Sequence, residues 1–370
     1  MNWLAAAALL AWAYLLLLHG RFWQAGPVLA PAVPRATPSV AVVVPARDEA
    51  EIIAASIGSL LGQEFPGSFR VWLVDDGSAD GTGEIARGLA AERLTVLAGL
   101  PRPQGWAGKL WAVQQGVAAS DGEWLLLTDA DIVHHKRHLA TLMAQAERSG
   151  ADLVSEMVAL NCTSFAERAL VPAFVYYFQL LYPFARVNDP RGRVAAAAGG
   201  TMLVRRAALD RIGGIAAIRG ALIDDVALAA AVKPGGSVWL GHSALARSVR
   251  PYPGFADIFR MVARSAYVQL RHSPLLLVVT LLALCVVFVV PPLAALLGHG
   301  TARWLGVGGW IAMAASFLPT LRRFSLCPLR AALLPLAAAF YMAATVGSAV
   351  DFHRGRGVVW KRRAYSERSA

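Results

Sequence analysis

Charge is scarce in this chain. Asp, Glu, Lys and Arg make up 16% of its 370 residues while 56% are hydrophobic, against about a quarter charged in an ordinary soluble protein. Cysteine is scarcer still: Cys162, Cys285 and Cys327 are the three, far apart, and show neither metal nor redox spacing. They read as small apolar residues of a reducing compartment. Asn161-Cys162-Thr163 fits a glycosylation sequon by pattern only. A glycine-rich G-x-G-x-x-G fingerprint is missing, which argues against an ordinary dinucleotide-binding domain. No Lys or Arg precedes the first apolar block, since the first basic residue is Arg21. The basic start of a cleaved secretory signal is therefore absent.

The missing charge is concentrated in blocks. Trp3 to Leu18 is uncharged, as are Leu275 to Leu297, Trp304 to Leu321 and Ala331 to Val350, runs of 23, 18 and 20 residues. A spanning helix needs about 20 apolar residues, so the last three suit a membrane and the first is borderline. The expected organisation is an anchor at 1–20, a proline-rich linker at 21–38, a globular domain at 39–250, an interfacial amphipathic helix at 251–272, transmembrane helices at 273–350 and a basic tail at 351–370. Arg21 and Arg35 follow the anchor, which by the positive-inside tendency puts the globular domain in the cytoplasm. One anchor and three spans would carry the tail outside, against the same tendency. Either one block, Trp304 to Leu321 being the shortest of the three, does not cross or the tail breaks the rule, and a cytoplasmic tail is expected. The net charge of +11 is spread along the chain and gathers near the apolar blocks, at Arg260, Arg264, Arg271, Arg322, Arg323 and Arg330. That placement suits anionic lipid headgroups, and no nucleic-acid motif accompanies it.

Between 39 and 250, apolar strands alternate with helices. Strands are expected at Val40 to Val44, stopped by Pro45, at 71–74, at Leu94 to Leu97, at Trp124 to Thr128, at Leu153 to Leu160 and at Val238 to Leu240. Helices are expected at Glu49 to Leu61, from Thr82 to about Ala91 and at Lys109 to Ala118. This is a doubly wound α/β pattern. Two strands end in paired aspartates, Asp75-Asp76 and Asp129-Ala130-Asp131. Open α/β sheets bind ligands at the carboxyl ends of their strands. Close carboxylates with no basic residue beside them favour a hard divalent cation, and a cation in such a crevice suits phosphate oxygens. The reading is an enzyme handling a nucleoside diphosphate. His134 and His135, followed by Lys136, Arg137 and His138, read as a solvated helix start rather than zinc ligands. Ala169 to Ala185, with six aromatics, fits a helix at the bilayer edge, an acceptor groove or plain core packing. Phe255 to Gln269 has the one-sided apolar pattern of an interfacial helix.

Pro45-Ala46-Arg47-Asp48-Glu49, Val74-Asp75-Asp76-Gly77-Ser78 with Asp80-Gly81-Thr82, Thr128-Asp129-Ala130-Asp131 and Asp224-Asp225 occur in this order. Together they resemble family 2 glycosyltransferases of the GT-A fold, over about residues 40 to 265. The anchor, the motif Gly105-Trp106-Ala107-Gly108-Lys109 and three C-terminal membrane helices look most like the hopanoid-biosynthesis-associated members. The resemblance implies a GT-A doubly wound mixed sheet flanked by helices, with N-terminal and C-terminal transmembrane helices, in a bacterial inner-membrane protein. It implies donor contacts from Pro45, Arg47, Glu49, Asp75, Asp76, Lys109, Asp129, Asp131 and Arg264, with Asp131 and Asp129 holding Mg²⁺ or Mn²⁺. Asp225 would be the catalytic base, and Gly199, Gly200, Thr201 and Asp224 would face the acceptor. An asparagine often found after the Gly-Lys pair is Gln114 here.

The implied activity is inverting transfer of one sugar from a nucleotide donor, UDP-linked by resemblance, to a lipid acceptor. Processive polysaccharide synthases carry Gln-x-x-Arg-Trp on the interfacial helix. This chain has Met261-Val262-Ala263-Arg264-Ser265, which favours a single transfer. A processive synthase and a catalytically silent nucleotide-binding scaffold are the alternatives.

Overall fold

The computed structural model describes residues 1–355, 359–360 and 363–364, and the chain divides into two compact units. Most of the expected basic tail lies outside the described residues.

One unit comprises residues 27–161 and 186–250 and holds an eight-stranded mixed sheet. Its strands are β1 (Val40–Ala46), β2 (Phe69–Asp75), β3 (Leu94–Ala98), β4 (Trp124–Thr128), β5 (Ile132–His134), β6 (Leu153–Ala159), β7 (Thr201–Arg205) and β8 (Val238–Ser248). They lie in the order β3-β2-β1-β4-β7-β6-β8-β5. The first four are mutually parallel. β7 runs antiparallel to β4 and β6, and β5 antiparallel to β8. β1 and β4 are buried along their whole length, as strands covered on both faces must be. Val42, Val44, Leu73 and Leu126 join Ile53, Ile57 and Leu60 from the helix Ile53–Leu61, and Leu139, Leu142 and Met143 from the helix His138–Ser149, in one core.

Pro45 does not stop β1, contrary to its reading as a breaker. The strand runs on to Ala46, paired with Asp75. The Ala46 carbonyl accepts from Asp76 N, so Ala46 faces β2 and Pro45 faces the other side. Pairing with β4 has ended there, at Val43, and no ladder bond is lost. The linker is also less free than its prolines suggest. Leu29 N donates to His242 O and His242 N to Pro27 O, while Arg35 N and Ala36 N donate to the Glu147 carboxylate.

The second unit, residues 1–26, 162–185 and 251 onward, is helical. Three of its helical stretches, Pro274–Leu297, Gly300–Arg323 and Pro328–His353, are long and apolar enough to cross a membrane. The N-terminal helix Asn2–Leu17 has 16 residues and falls short of that length. Phe255–Gln269 forms the expected helix. The aromatic helix spans Phe165–Leu181, four residues earlier than its apolar run suggests, because Ser164 and Glu167 close a reciprocal capping box at its start. Its rings serve packing: Tyr176 is buried, bonds Ser316 at 2.7 Å and meets Phe317 edge-on.

Pro291 and Pro292 interrupt the first span directly after a π-helical bulge at Cys285–Val289. Neither proline has an N–H, so carbonyls one turn earlier lose their donors. Trp12 from the N-terminal helix supplies one: its Nε1–H donates to Val287 O at 2.7 Å, and its ring packs edge-on against Phe288. Side-chain rescue of this kind is what lets prolines persist in membrane helices. Trp12→Phe keeps the ring and removes the donor. It is expected to cost about 1 kcal/mol, read as a lower unfolding midpoint in detergent, with Trp12→Ala costing more.

Candidate active site

The carboxyl ends of β1, β2 and β4 share one edge of the sheet because these strands are parallel. The antiparallel register pairs Thr128 with Thr201, so the turn Gly199-Gly200 entering β7 lies at the same edge. β8 pairs antiparallel with β5, Ser248 opposite Ile132, and Val249 N donates to Asp131 O at 2.8 Å. That delivers Arg250 beside Asp131. Two helices begin here, Gly108–Ala118 with Lys109 in its first turn and Asp224–Val232 with both aspartates in its first turn.

At this edge four carboxylates meet two cations. Lys109 Nζ lies 2.8 Å from Asp129 Oδ1 and 2.9 Å from Asp224 Oδ2. Arg250 Nη2 lies 2.6 Å from Glu49 Oε1, and its Nε 2.7 Å from Asp131 Oδ2. The local sequence gives these aspartates no basic neighbour. The fold supplies two from distant positions, which corrects the picture of unpaired carboxylates. Burial alone would pull the Lys109 ammonium down, yet Asp129 and Asp224 hold it above its ordinary value. Burial, with Asp131 and Asp224 nearby, lifts Asp129 despite Lys109.

Among the described residues no cation forms an ion pair with Asp225. Its Oδ2 accepts from Gly199 N at 2.7 Å and its Oδ1 from Val226 N at 2.7 Å. Burial first, then the charge of Asp224, push its carboxyl up to about 7 against the opposing pull of Lys109 and the two N–H donors. A Cβ on Gly199 would lie 3.2 Å from Asp225 Oδ2, tight enough to crowd that carboxylate, and in ordinary contact with Lys109 Nζ at 3.6 Å. Gly200 is packed against Val158. Thr201 is buried, and Ser155 Oγ donates to its carbonyl.

The first motif closes the neighbouring side. Arg47 Nη1 contacts the carbonyl of Asp76 and stands 3.4 Å from its carboxylate. Glu49 N donates to Thr82 Oγ1. Asp75 accepts from Ser78 N. At the start of the helix Thr82–Gly88, Asp80 accepts from Thr82 N. Pro45 lines the small cavity that also includes Lys109, Asp129, Gly199 and Asp224. Arg264 belongs to the helical unit, exposed on the helix Phe255–Gln269, so its expected donor role rests on resemblance.

Two features escaped the sequence. Arg250 carried no motif; its one signal in the sequence was its place directly before Pro251-Tyr252-Pro253. The histidines were misread. His135, Lys136 and Arg137 are exposed, but His134 and His138 are buried. They form a chain beneath the Asp129–Asp131 turn: Thr128 Oγ1 to His134 Nε2 at 3.2 Å, His134 Nδ1 to His138 Nδ1 at 3.0 Å, and His138 Nε2 to Glu156 Oε1 at 2.5 Å. Burial, then His138, keep His134 well below its ordinary value. The i, i+4 spacing of 134 and 138 was legible; the inward face was not, because Lys136 and Arg137 between them suggested solvent.

Residues 41–213 match the family described as Glycosyl transferase family 2. Over those residues the chain is similar to family 2 glycosyltransferase domains, and its mixed α/β sheet is of the GT-A type. Among curated relatives, the Beta-monoglucosyldiacylglycerol synthase of Trichormus variabilis is 30% identical over 182 residues, 48% of this chain and 38% of that protein. Glycosyltransferase AglE of Haloferax volcanii is 32% identical over 120 residues, 32% of this chain and 38% of that protein. The chain spans 38% of the length of each of these two relatives. A solved structure, mannosyltransferase PcManGT from Pyrobaculum calidifontis in complex with GDP-Man and Mn²⁺, shares the fold with a TM-score of 0.58 at 20% identity. It covers 94% of this chain and 99% of that one.

The buried chain is open to a direct check. Glu156→Ala strips His138 Nε2 of its partner and is expected to cost about 1–3 kcal/mol. Glu156→Gln, which retains a polar partner, should cost less, both read as unfolding midpoints.

Proposed function

We propose that this protein is an inverting, metal-dependent glycosyltransferase that moves a single sugar from a nucleoside-diphosphate sugar to the hydroxyl of a lipid at the cytoplasmic membrane face. The observation that carries the reading is Asp225: a carboxylate poised near neutrality at the same sheet edge as Lys109 and the Asp129–Asp131 turn. A general base works best with its pKa close to ambient pH. Each carboxylate oxygen has two lone pairs, so the bonds from Gly199 and Val226 leave room for an acceptor O–H. Asp225 would take that proton as the hydroxyl oxygen attacks the anomeric carbon and the nucleoside diphosphate departs.

The remaining roles follow the motifs. Glu49, Asp75 and Asp76, with Pro45 and Arg47 shaping the loop, would receive base and ribose. Lys109, at a helix start, suits a phosphate. Gly199, Gly200 and Thr201 would lie beneath the transferred sugar, with Asp224 beside the acceptor. Among the described residues no three His, Cys, Asp or Glu side chains are gathered into a metal cage. Asp129 and Asp131, however, each keep one carboxylate oxygen outside the ion pairs with Lys109 and Arg250. One or two carboxylates plus substrate phosphates is the usual oxygen set of Mg²⁺. The residues therefore fit a Mg²⁺ or Mn²⁺ completed by the donor, which would neutralise charge on the departing diphosphate.

A lipid acceptor is supported by the three candidate membrane helices and by a relative named for diacylglycerol glycosylation. A hopanoid acceptor rests on the likeness in layout. UDP as the carrier rests on the motif resemblance; the solved neighbour holds GDP-Man.

Membranes containing the protein, given radiolabelled UDP- and GDP-sugars, should place label in the lipid extract with Mg²⁺ or Mn²⁺ and lose it with chelator. Asp225→Asn should lower kcat about 10²–10⁴-fold while donor binding persists. Unchanged product formation by that variant would defeat the assignment and favour a silent scaffold. Because only the ionised carboxylate accepts a proton, the logarithm of kcat/KM should rise with unit slope against pH below about pH 7 and level off above it.

A further inference from the structure

Arg250 has a place in the site that no motif assigns. It is the last residue of the sheet-bearing unit, and its one guanidinium spans two carboxylates of different expected use: Glu49 Oε1 at 2.6 Å and Asp131 Oδ2 at 2.7 Å. Its main chain is fixed on both sides. Val249 N donates to Asp131 O, and Asn161 Nδ2 donates to Arg250 O at 2.8 Å. The side chain is only half-buried, so it can turn toward an incoming ligand without disturbing the sheet.

We propose that Arg250 is a donor-binding residue that exchanges Asp131 for the donor diphosphate. In the donor-free protein it acts as the resident counter-ion of Asp131. Guanidinium matches carboxylate and phosphate with the same two-pronged geometry. When the nucleotide arrives with its divalent cation, Asp131 would hold the cation and the Arg250 guanidinium would turn to a diphosphate oxygen. Each negative group keeps a positive partner through the exchange, so no bare charge is created in a half-buried site. Metal alone must displace Arg250 from Asp131 and offers it nothing in return. Nucleotide and metal together offer both halves of the exchange, so their binding is positively coupled through this side chain.

The proposal rests on the glycosyltransferase reading, and its test uses binding rather than turnover. Purified full-length protein is titrated with Mn²⁺ alone, followed by the spectrum of free Mn²⁺ in electron paramagnetic resonance. Separate titrations with UDP and with GDP, with and without Mn²⁺, are followed by calorimetry. In Arg250→Met, Mn²⁺ alone should bind more tightly, since its competitor for Asp131 is gone. The better nucleotide in the presence of Mn²⁺ should bind about tenfold or more weakly, as expected for a lost charge-assisted contact. The factor by which Mn²⁺ tightens the nucleotide should fall. Arg250→Lys, which keeps the charge but not the fork, should recover part of the nucleotide affinity.

Parallel weakening of metal and nucleotide, with a lowered unfolding midpoint in both variants, would make Arg250 a structural clamp and overturn the proposal. So would tighter metal with unchanged nucleotide affinity, which would make it a bystander charge. Failure of the unaltered protein to bind either nucleotide would instead strike the transferase reading itself.

Discussion

Like-charge repulsion at one sheet edge is the constraint on which this site is built. Parallel β1, β2 and β4 all deliver acidic residues to the same side, and the helix at Asp224 adds two more. Left alone, such a group would protonate or swell apart. Lys109 and Arg250 prevent this by dividing the carboxylates between them: Asp129 and Asp224 to one, Asp131 and Glu49 to the other. Neither cation lies next in sequence to the aspartates it holds, so the site exists only once strands and helices from across the domain have assembled.

The mixed topology is what makes that assembly possible. Had the sheet stayed parallel after β4, the next strand would have begun at the far edge. Because β7 runs antiparallel, the turn at Gly199-Gly200 abuts the end of β4, and Gly199 N can reach Asp225. The antiparallel β5–β8 pair does the same for Arg250. Reversal of direction in the second half of the sheet is thus the structural cause of a two-sided site, with acidic loops from the parallel half and the Gly199–Asp225 and Arg250 groups from the rest.

Much of this was legible in the sequence, and the reasons differ by element. β4 ends at Thr128 as expected, because an uninterrupted apolar run followed by Asp-x-Asp marks both a buried strand and its exit. Lys109 was found because a glycine-rich loop before a lysine is a local signal. The length of β8 was missed: eleven residues were read as three, since Gly241, His242 and Ser243 break the apolar pattern while the backbone pairing continues. Arg250 was missed for a related reason, as its meaning depends on strand pairing over 119 residues to Asp131. His134 and His138 were misread because exposed cations between them mask an inward face, and only Glu156 on β6 discloses their partner. Contacts encoded by local pattern were readable; contacts made by register were not.

The adjacent aspartates at 224 and 225 show how one fold assigns different chemistry to identical side chains. Asp224 points to Lys109 and is matched by a full charge at 2.9 Å. Asp225 receives two backbone N–H groups, which carry only partial charge, and must ionise in a buried setting beside Asp224. Burial first, then the charge of Asp224, push its carboxyl up to about 7, against the pull of Lys109 and of those two N–H groups. Had Lys109 bonded Asp225 directly, the carboxylate would be a weaker base and less able to accept a hydroxyl proton. The lysine sits one residue away instead, on Asp224 and Asp129. Different surroundings can give neighbouring acids different chemistry, and here Asp224 is ion-paired to Lys109 while burial and the adjacent charge set Asp225.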